Sequence, residues 1–147
     1  MSVPMDRIQR GPDFNAAVTL LAALKLPVTD LTPAHCEHFF YTGAPDLPTG
    51  LVGLEIFGEV ALLRSLGVAP GSQGTGDGTR LLRHAESFAH AQGVRHLYLL
   101  TTTAESFFAR LGYSAVPRAS APEAIQTSRE FSGLCPASSA FMGKALT

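Results

Sequence analysis

Residues 62–82 read LLRSLGVAPGSQGTGDGTRLL, an apolar run, a proline, a loop with glycines at 71, 74, 76 and 78, and the start of a second apolar pattern. This reading predicts a strand, a glycine-rich loop and a helix that begins at Thr79 or Arg80. A glycine turn between strand and helix aims several backbone N–H groups and the positive end of the helix dipole at one point. Such a point attracts phosphate. Side chains at Gly76 and Gly78 would hold an anion away from the backbone, so a phosphorylated ligand is expected, with an unliganded tight turn as the alternative that spacing leaves open. Two phosphate loops are excluded. No Lys-Ser/Thr pair follows the glycines, as a triphosphate loop needs, and Gly74, Gly76 and Gly78 alternate rather than form GxGxxG.

The flanks alternate strand and helix signals. Residues 5–10 suit a short strand; Phe14, Ala17, Val18, Leu21 and Leu24 recur at helical spacing up to Pro27. Asp30 or Thr32 can cap a second helix over residues 33–39, residues 38–41 suit a short strand, and APDLPTG (44–50) reads as a turn. Residues 51–57 and 59–68 form a hairpin pattern about Gly58. After the glycine loop, Leu81, Leu82, Ala85, Phe88 and Ala89 share one helix face, while Arg83, His84, Glu86, Ser87 and His90 fall on others, and Gly93 stops the helix. Residues 96–101 read as a buried strand, Thr102 and Glu105 as a capping box, and Ala104, Phe107, Phe108 and Leu111 as a helix face closed by Gly112. Residues 113–116, a helical turn around 123–127 and a last strand in 138–146 complete a single α/β domain spanning 1–147.

With 46% hydrophobic and 16% charged residues the chain has the balance of a folded domain. A net charge of −1 argues against nucleic acid as partner, and no 18-residue apolar run suggests a membrane span. MSVPMDRIQRGPDF lacks the apolar core of a secretory signal, so a cytoplasmic location is expected. Cys36 and Cys135 are too few for a disulfide framework. His35, Cys36, Glu37 and His38 lack further ligands nearby in sequence, so no metal is expected.

Gln73-Gly74-Thr75-Gly76-Asp77-Gly78 matches Q/R-x-x-G-x-G/A and resembles the pyrophosphate motif of the GNAT superfamily of acyl-CoA N-acyltransferases. The order strand SLGVAP, loop, helix, strand LYLLTT, helix AESFFARLGY is similar to that family over residues 50–116. LLTTTAESFFARLGY resembles amino-acid N-acetyltransferases of the acetylglutamate-synthase type. ALLRSLGVAP, YLLTTTAESFFARLGY and TSREFSGLCPASSAFMGKAL together look like the arsenic-resistance N-acetyltransferase branch. The resemblance implies the GNAT fold, a central mixed and splayed β-sheet flanked by helices. It also implies acetyl-CoA as co-substrate and direct transfer to the amino group of a small molecule, an amino acid or an arsenic-containing analogue such as arsinothricin. A generic amine acetyltransferase and a non-catalytic acetyl-CoA sensor are the rival readings, and homodimers are frequent in the superfamily.

Carried onto this chain, the resemblance places pantetheine along Leu66, Gly67 and Val68. It gathers the amides of Gln73, Gly74, Thr75, Gly76, Asp77, Gly78 and Thr79 around the pyrophosphate. Gln73 stands where many relatives have arginine, and Asp77 sits inside the loop, where its charge would repel phosphate unless it points outward. Relatives place a glutamate that acts through water near the hairpin; Glu55, set in an apolar strand, is preferred over Glu59. Phe108 occupies the position of the usual tyrosine acid, and Thr101 that of a common asparagine, which leaves Tyr98, Tyr113 and Cys135 as candidate acids beside water. Arg64 interrupts an apolar strand; its planar fork suits a substrate carboxylate or oxyanion, or a cross-strand pair with Glu55. Arg118 and Arg129 come from the C-terminal region that could cover the acceptor, and Arg129 is taken as a second substrate-binding candidate.

Overall fold

Gly58 and Glu59 turn the chain between the two longest strands, β3 (Leu47–Phe57) and β4 (Val60–Val68), in a computed structural model that describes residues 7–74, 76–134 and 138–147. Gly58 takes φ 71° at the first central position, where a side chain would be strained. Around this hairpin a seven-stranded sheet forms in the order β1-β2-β3-β4-β5-β7-β6, with β1 (Gln9–Arg10), β2 (Phe39–Ala44), β5 (His96–Thr101), β6 (Ser114–Ala115) and β7 (Ala140–Ala145). Only β4 and β5 run parallel, so the sheet is mixed. Among the described residues no helix is long and apolar enough to cross a membrane.

The anticipated turn over residues 44–50 is shorter than expected. Ala44 pairs with Leu47, so Pro45 and Asp46 make the whole turn and β3 begins at Leu47. On one sheet face Val52, Leu54, Ala61, Leu63, Leu97 and Leu99 pack against the apolar stripe of α2 (Asp77–Ala91), namely Leu81, Leu82, Ala85 and Ala89. Phe108 of α3 (Glu105–Arg110) joins this core. On the other face α1 (Phe14–Ala23) covers Phe39, Tyr41 and Leu51, while Ile125 of α4 (Glu123–Gln126) covers Leu62 and Phe141.

Local chemistry fixes each helix end. Asp13 caps α1 by accepting from the Ala16 N–H at 2.9 Å, an interaction worth about 1 kcal/mol. At the other end Leu26 N–H donates to Leu21 O and Lys25 N–H to Ala22 O, the paired bonds of a Schellman motif. Its left-handed position holds Lys25 at φ 61° where glycine is usual, a strain of about 1 kcal/mol. The second helical segment is a 3₁₀ turn, Pro33–His38, entered from Thr32, whose N–H donates to His35 Nδ1. α2 starts at Asp77, two residues before the expected Thr79, because Gly76 adopts φ 83° and Asp77 pairs with Arg80 in the first turn. The expected Thr102–Glu105 capping box is replaced by Thr101, whose hydroxyl accepts from the Ala104 N–H at 3.0 Å.

Candidate active site

A bulge in β4 opens the sheet. Gly53 pairs with Arg64 and Leu51 with Gly67, so two steps along β3 oppose three along β4. Ser65 takes up the extra residue in the left-handed region, at φ 60°. Upstream of the bulge β4 pairs with β5 only at Val60–His96, Ala61–Leu97 and Leu62–Tyr98. Beyond Leu62 the two strands part, while β5 stays paired to β7 as far as Thr101 and Ala140. A cleft of about 1080 Å³ fills the gap.

Leu66, Gly67 and Val68 line this cleft, together with Gln73 and Gly78 of the glycine loop. Among the described residues the β4 edge facing the gap has no strand partner there, and edge N–H and C=O groups require hydrogen bonds from elsewhere. Gln73 folds back so that its Nε2 donates to Val68 O at 3.0 Å, bracing the loop rather than reaching outward. Gly74 and Gly76 adopt φ 84° and 83°, with open space where a Cβ would project, so backbone conformation demands glycine there. Asp77 is paired with Arg80, which neutralises the carboxylate at the helix start. Thr79 lies in the first turn of α2; Thr75 and Cys135 lie outside the described residues.

At the far end of the cleft stands Arg64, with a side chain that is fully buried. Its Nη1 and Nη2 donate to the two Asp30 oxygens at 2.6 and 2.9 Å, and Nη1 also to Glu55 Oε2 at 2.5 Å. The cross-strand pairing with Glu55 is therefore present, and Asp30 adds a bidentate clamp. His35 Nε2 lies 3.9 Å from the same Glu55 oxygen. Asp30, His35 and Glu55 offer ligand atoms within 4.8 Å of one another, but the guanidinium donates to both carboxylates. Glu55 is not among the cleft-lining residues, and neither is Arg129, which is exposed.

Phe108 lines the cleft and is 5% exposed, and it has no proton to give. Neither tyrosine named as a candidate acid lines the cleft. Tyr98 stacks on Phe141 at 5.5 Å, and the Tyr113 hydroxyl donates to Glu86 at 2.8 Å. Burial, reinforced by the Glu86 carboxylate, pushes the Tyr113 phenol far up and keeps it protonated. Glu86, set off the apolar face of α2 by the sequence reading, is buried and accepts from Tyr113, Arg83 and Lys144. The same reading missed Ser139, a cleft-lining residue whose buried Oγ has no hydrogen-bond partner among the described residues, while its carbonyl accepts from Arg118. A buried hydroxyl left unpaired costs about 1–3 kcal/mol, and a polar ligand in the cleft would satisfy it.

The profile of the acetyltransferase (GNAT) domain matches residues 35–115, more than half of the chain. The chain belongs to the GNAT acetyltransferase family. This GNAT domain is 50% identical over 56 residues to an amino-acid acetyltransferase of Ralstonia nicotianae, a match that takes in 38% of the chain and 12% of the relative. Its fold superposes with a TM-score of 0.80 on the N-acetylglutamate synthase of Neisseria gonorrhoeae, solved with coenzyme A and L-arginine, at 22% identity over 95% of this chain and 33% of that one. Rv2747 of Mycobacterium tuberculosis, solved with CoA, gives 0.76 at 16% identity over 96% and 99% of the two chains. The domain thus spans a third or less of the length of the Ralstonia and Neisseria proteins.

The buried ionic groups give the fold a defined acid response. Burial raises the pKa of Asp30, but the Arg64 hydrogen bonds and charge outweigh it and hold the carboxyl below its ordinary value. Glu86 is likewise held low, burial being outweighed by Arg83, Tyr113 and Lys144. A depressed folded pKa contributes stability that is present above the unfolded value, about 4, and is lost as pH falls through the folded value. The urea midpoint should therefore fall steeply below about pH 4, and Asp30→Asn with Glu86→Gln should flatten that fall. An unchanged acid limb in the double variant would show that other groups set it.

Proposed function

We propose that this domain transfers the acetyl group of acetyl-CoA directly to the amino group of a small molecule, an amino acid or an arsenic-containing analogue such as arsinothricin. The observation that carries this reading is the splayed β4 edge leading straight into the glycine loop. That edge offers backbone partners to the amides of pantetheine, and the loop offers N–H groups to the pyrophosphate. In this reading N–H groups around the Ser65 bulge and residues 66–68 polarise the thioester carbonyl. The acceptor then occupies the end bounded by Arg64, Thr101 and Ser139.

Within this reading Glu55 takes the amine's proton through water. It is bonded to the cleft-lining Arg64, and its side chain is 17% exposed against 4% for Asp30. Glu55→Gln should lower kcat by about 100-fold while leaving the CoA Kd within about twofold of the parent. A kcat within about tenfold of the parent would make Glu55 a partner of Arg64 only. Phe108, which cannot protonate a leaving thiolate, favours a second reading, a domain that senses acetyl-CoA without turnover. Thiol release from acetyl-CoA, measured across a panel of amino acids, simple amines and arsinothricin, separates the readings. Turnover with amino acids or with arsinothricin supports the proposal and identifies the acceptor. Turnover only with simple amines points to a generic amine acetyltransferase. Tight CoA binding without turnover on any amine sinks the enzyme.

A further inference from the structure

Resting on the reading that the cleft takes acetyl-CoA, we infer that Lys25 binds a phosphate of that donor from the wall opposite the glycine loop. Lys25 lines the cleft at the end of α1, beside Leu24 and Leu26. Those two leucines pack directly over Gly67, where an added Cβ would lie 2.6 Å from Leu24 Cδ1 and 3.2 Å from Leu26 Cδ1. That contact fixes the level of Lys25 along β4. It stands downstream of the Ser65 bulge and away from the Arg64 end, on the side that runs into Gln73 and Gly78.

Charge makes the placement informative. The other basic residue lining the cleft, Arg64, is committed to Asp30 and Glu55. Arg80, at the start of α2, is engaged with Asp77, and Gln73 brings no charge and is turned back onto Val68 O. Among the described residues the Lys25 ammonium has neither a carboxylate nor a hydrogen-bond partner, although it is exposed at the cleft wall. An anionic donor entering here meets backbone dipoles on one side and this one uncommitted cation on the other. The backbone supplies a second observation. Lys25 sits at φ 61° in a Schellman position that glycine would occupy without strain, and strain kept at a cleft is explained by a task for the side chain.

The strain also supplies a test in which folding and binding move in opposite directions. Lys25→Gly removes the ammonium and relieves the left-handed residue, so Tm should rise by about 2–4 °C while the Kd for CoA weakens about tenfold at low salt. Lys25→Arg, which keeps both charge and backbone strain, should bind CoA within about threefold of the parent. Calorimetry with CoA, dephospho-CoA and S-acetylpantetheine locates the contact. A loss for CoA alone assigns the ammonium to the 3′-phosphate, and a loss for CoA and dephospho-CoA assigns it to the diphosphate; either supports the inference. An equal loss for S-acetylpantetheine, which has no phosphate, overturns it. So does a Lys25→Gly protein that binds CoA like the parent, a Lys25→Arg protein as weak as Lys25→Gly, or a rise in acceptor KM with the CoA Kd unchanged. A parent protein that binds no CoA would instead overturn the reading of the cleft on which the inference rests.

Discussion

Arg64→Met should destabilise the domain by about 3–5 kcal/mol, the usual cost of removing one partner from a buried ion pair. The guanidinium is fully buried and Asp30 is 4% exposed, so the variant strands a carboxylate that water cannot reach. Glu55 loses its 2.5 Å partner as well, but at 17% exposure it retains access to solvent. The penalty should therefore follow Asp30, and Arg64→Met combined with Asp30→Asn should recover most of it. It should also shrink as pH falls toward about 4, because without Arg64 burial raises the Asp30 pKa and protonation removes the stranded charge. Function suffers through a different route. Asp30 ties the segment after α1 to β4, and Leu26, Pro27, Val28 and Thr29 of that segment form a wall of the cleft. Released from Arg64, this wall should loosen, and KM for the acceptor should rise more than Kd for CoA. A loss below about 1 kcal/mol, the worth of an exposed pair, would show that water replaces the guanidinium at no great cost and that the clamp is dispensable.

Short-range signals carried most of the fold into the sequence. Gly58 between two apolar runs marked the β3–β4 hairpin, the stripe Leu81, Leu82, Ala85 and Ala89 marked α2, and residues 96–101 were read as a strand with the observed bounds. The glycine loop was legible for the same reason, since its spacing is local. What escaped depends on partners distant in the chain. Asp30 was a cap candidate from its neighbours, yet its side chain goes to Arg64, 34 residues away. Helical periodicity set Glu86 off the apolar face of α2, but Tyr113 and Lys144, 27 and 58 residues on, bury and satisfy it. The bulge left no mark because a serine, not a glycine, holds the left-handed conformation at position 65. Ser139 was invisible for the opposite reason: a serine near a strand start is ordinary until the cleft is seen to bury it.

Deleting Ser65 should abolish CoA binding, weakening it by at least about 100-fold (about 2.7 kcal/mol), while leaving the sheet folded. The expectation follows from the register. Ser65 and Leu66 together oppose Val52, and the pairs Arg64–Gly53 and Gly67–Leu51 flank them. Without Ser65, Leu66 falls opposite Val52, and every residue on either side keeps its partner and its face. The core contacts of Leu62 and Leu63 are therefore preserved, which a substitution inside the strand would not guarantee. What changes is the path of β4. A bulge bends its strand and raises the local twist, and here the bend accompanies the end of pairing at Leu62–Tyr98. A straightened β4 can continue the parallel ladder with β5 along Leu63 and Leu99, and each new rung fills backbone groups that the cleft leaves for a ligand. Loss of the ligand and gain of the ladder are thus two faces of one change, and they should be measured together. Calorimetry should show CoA binding gone, and hydrogen exchange should show new protection at Leu63, Arg64 and Leu66 and at residues 99–101. Retained CoA binding in a folded deletion variant would mean that the divergence of β4 and β5 is imposed by the helices on either side, and that the bulge merely follows it.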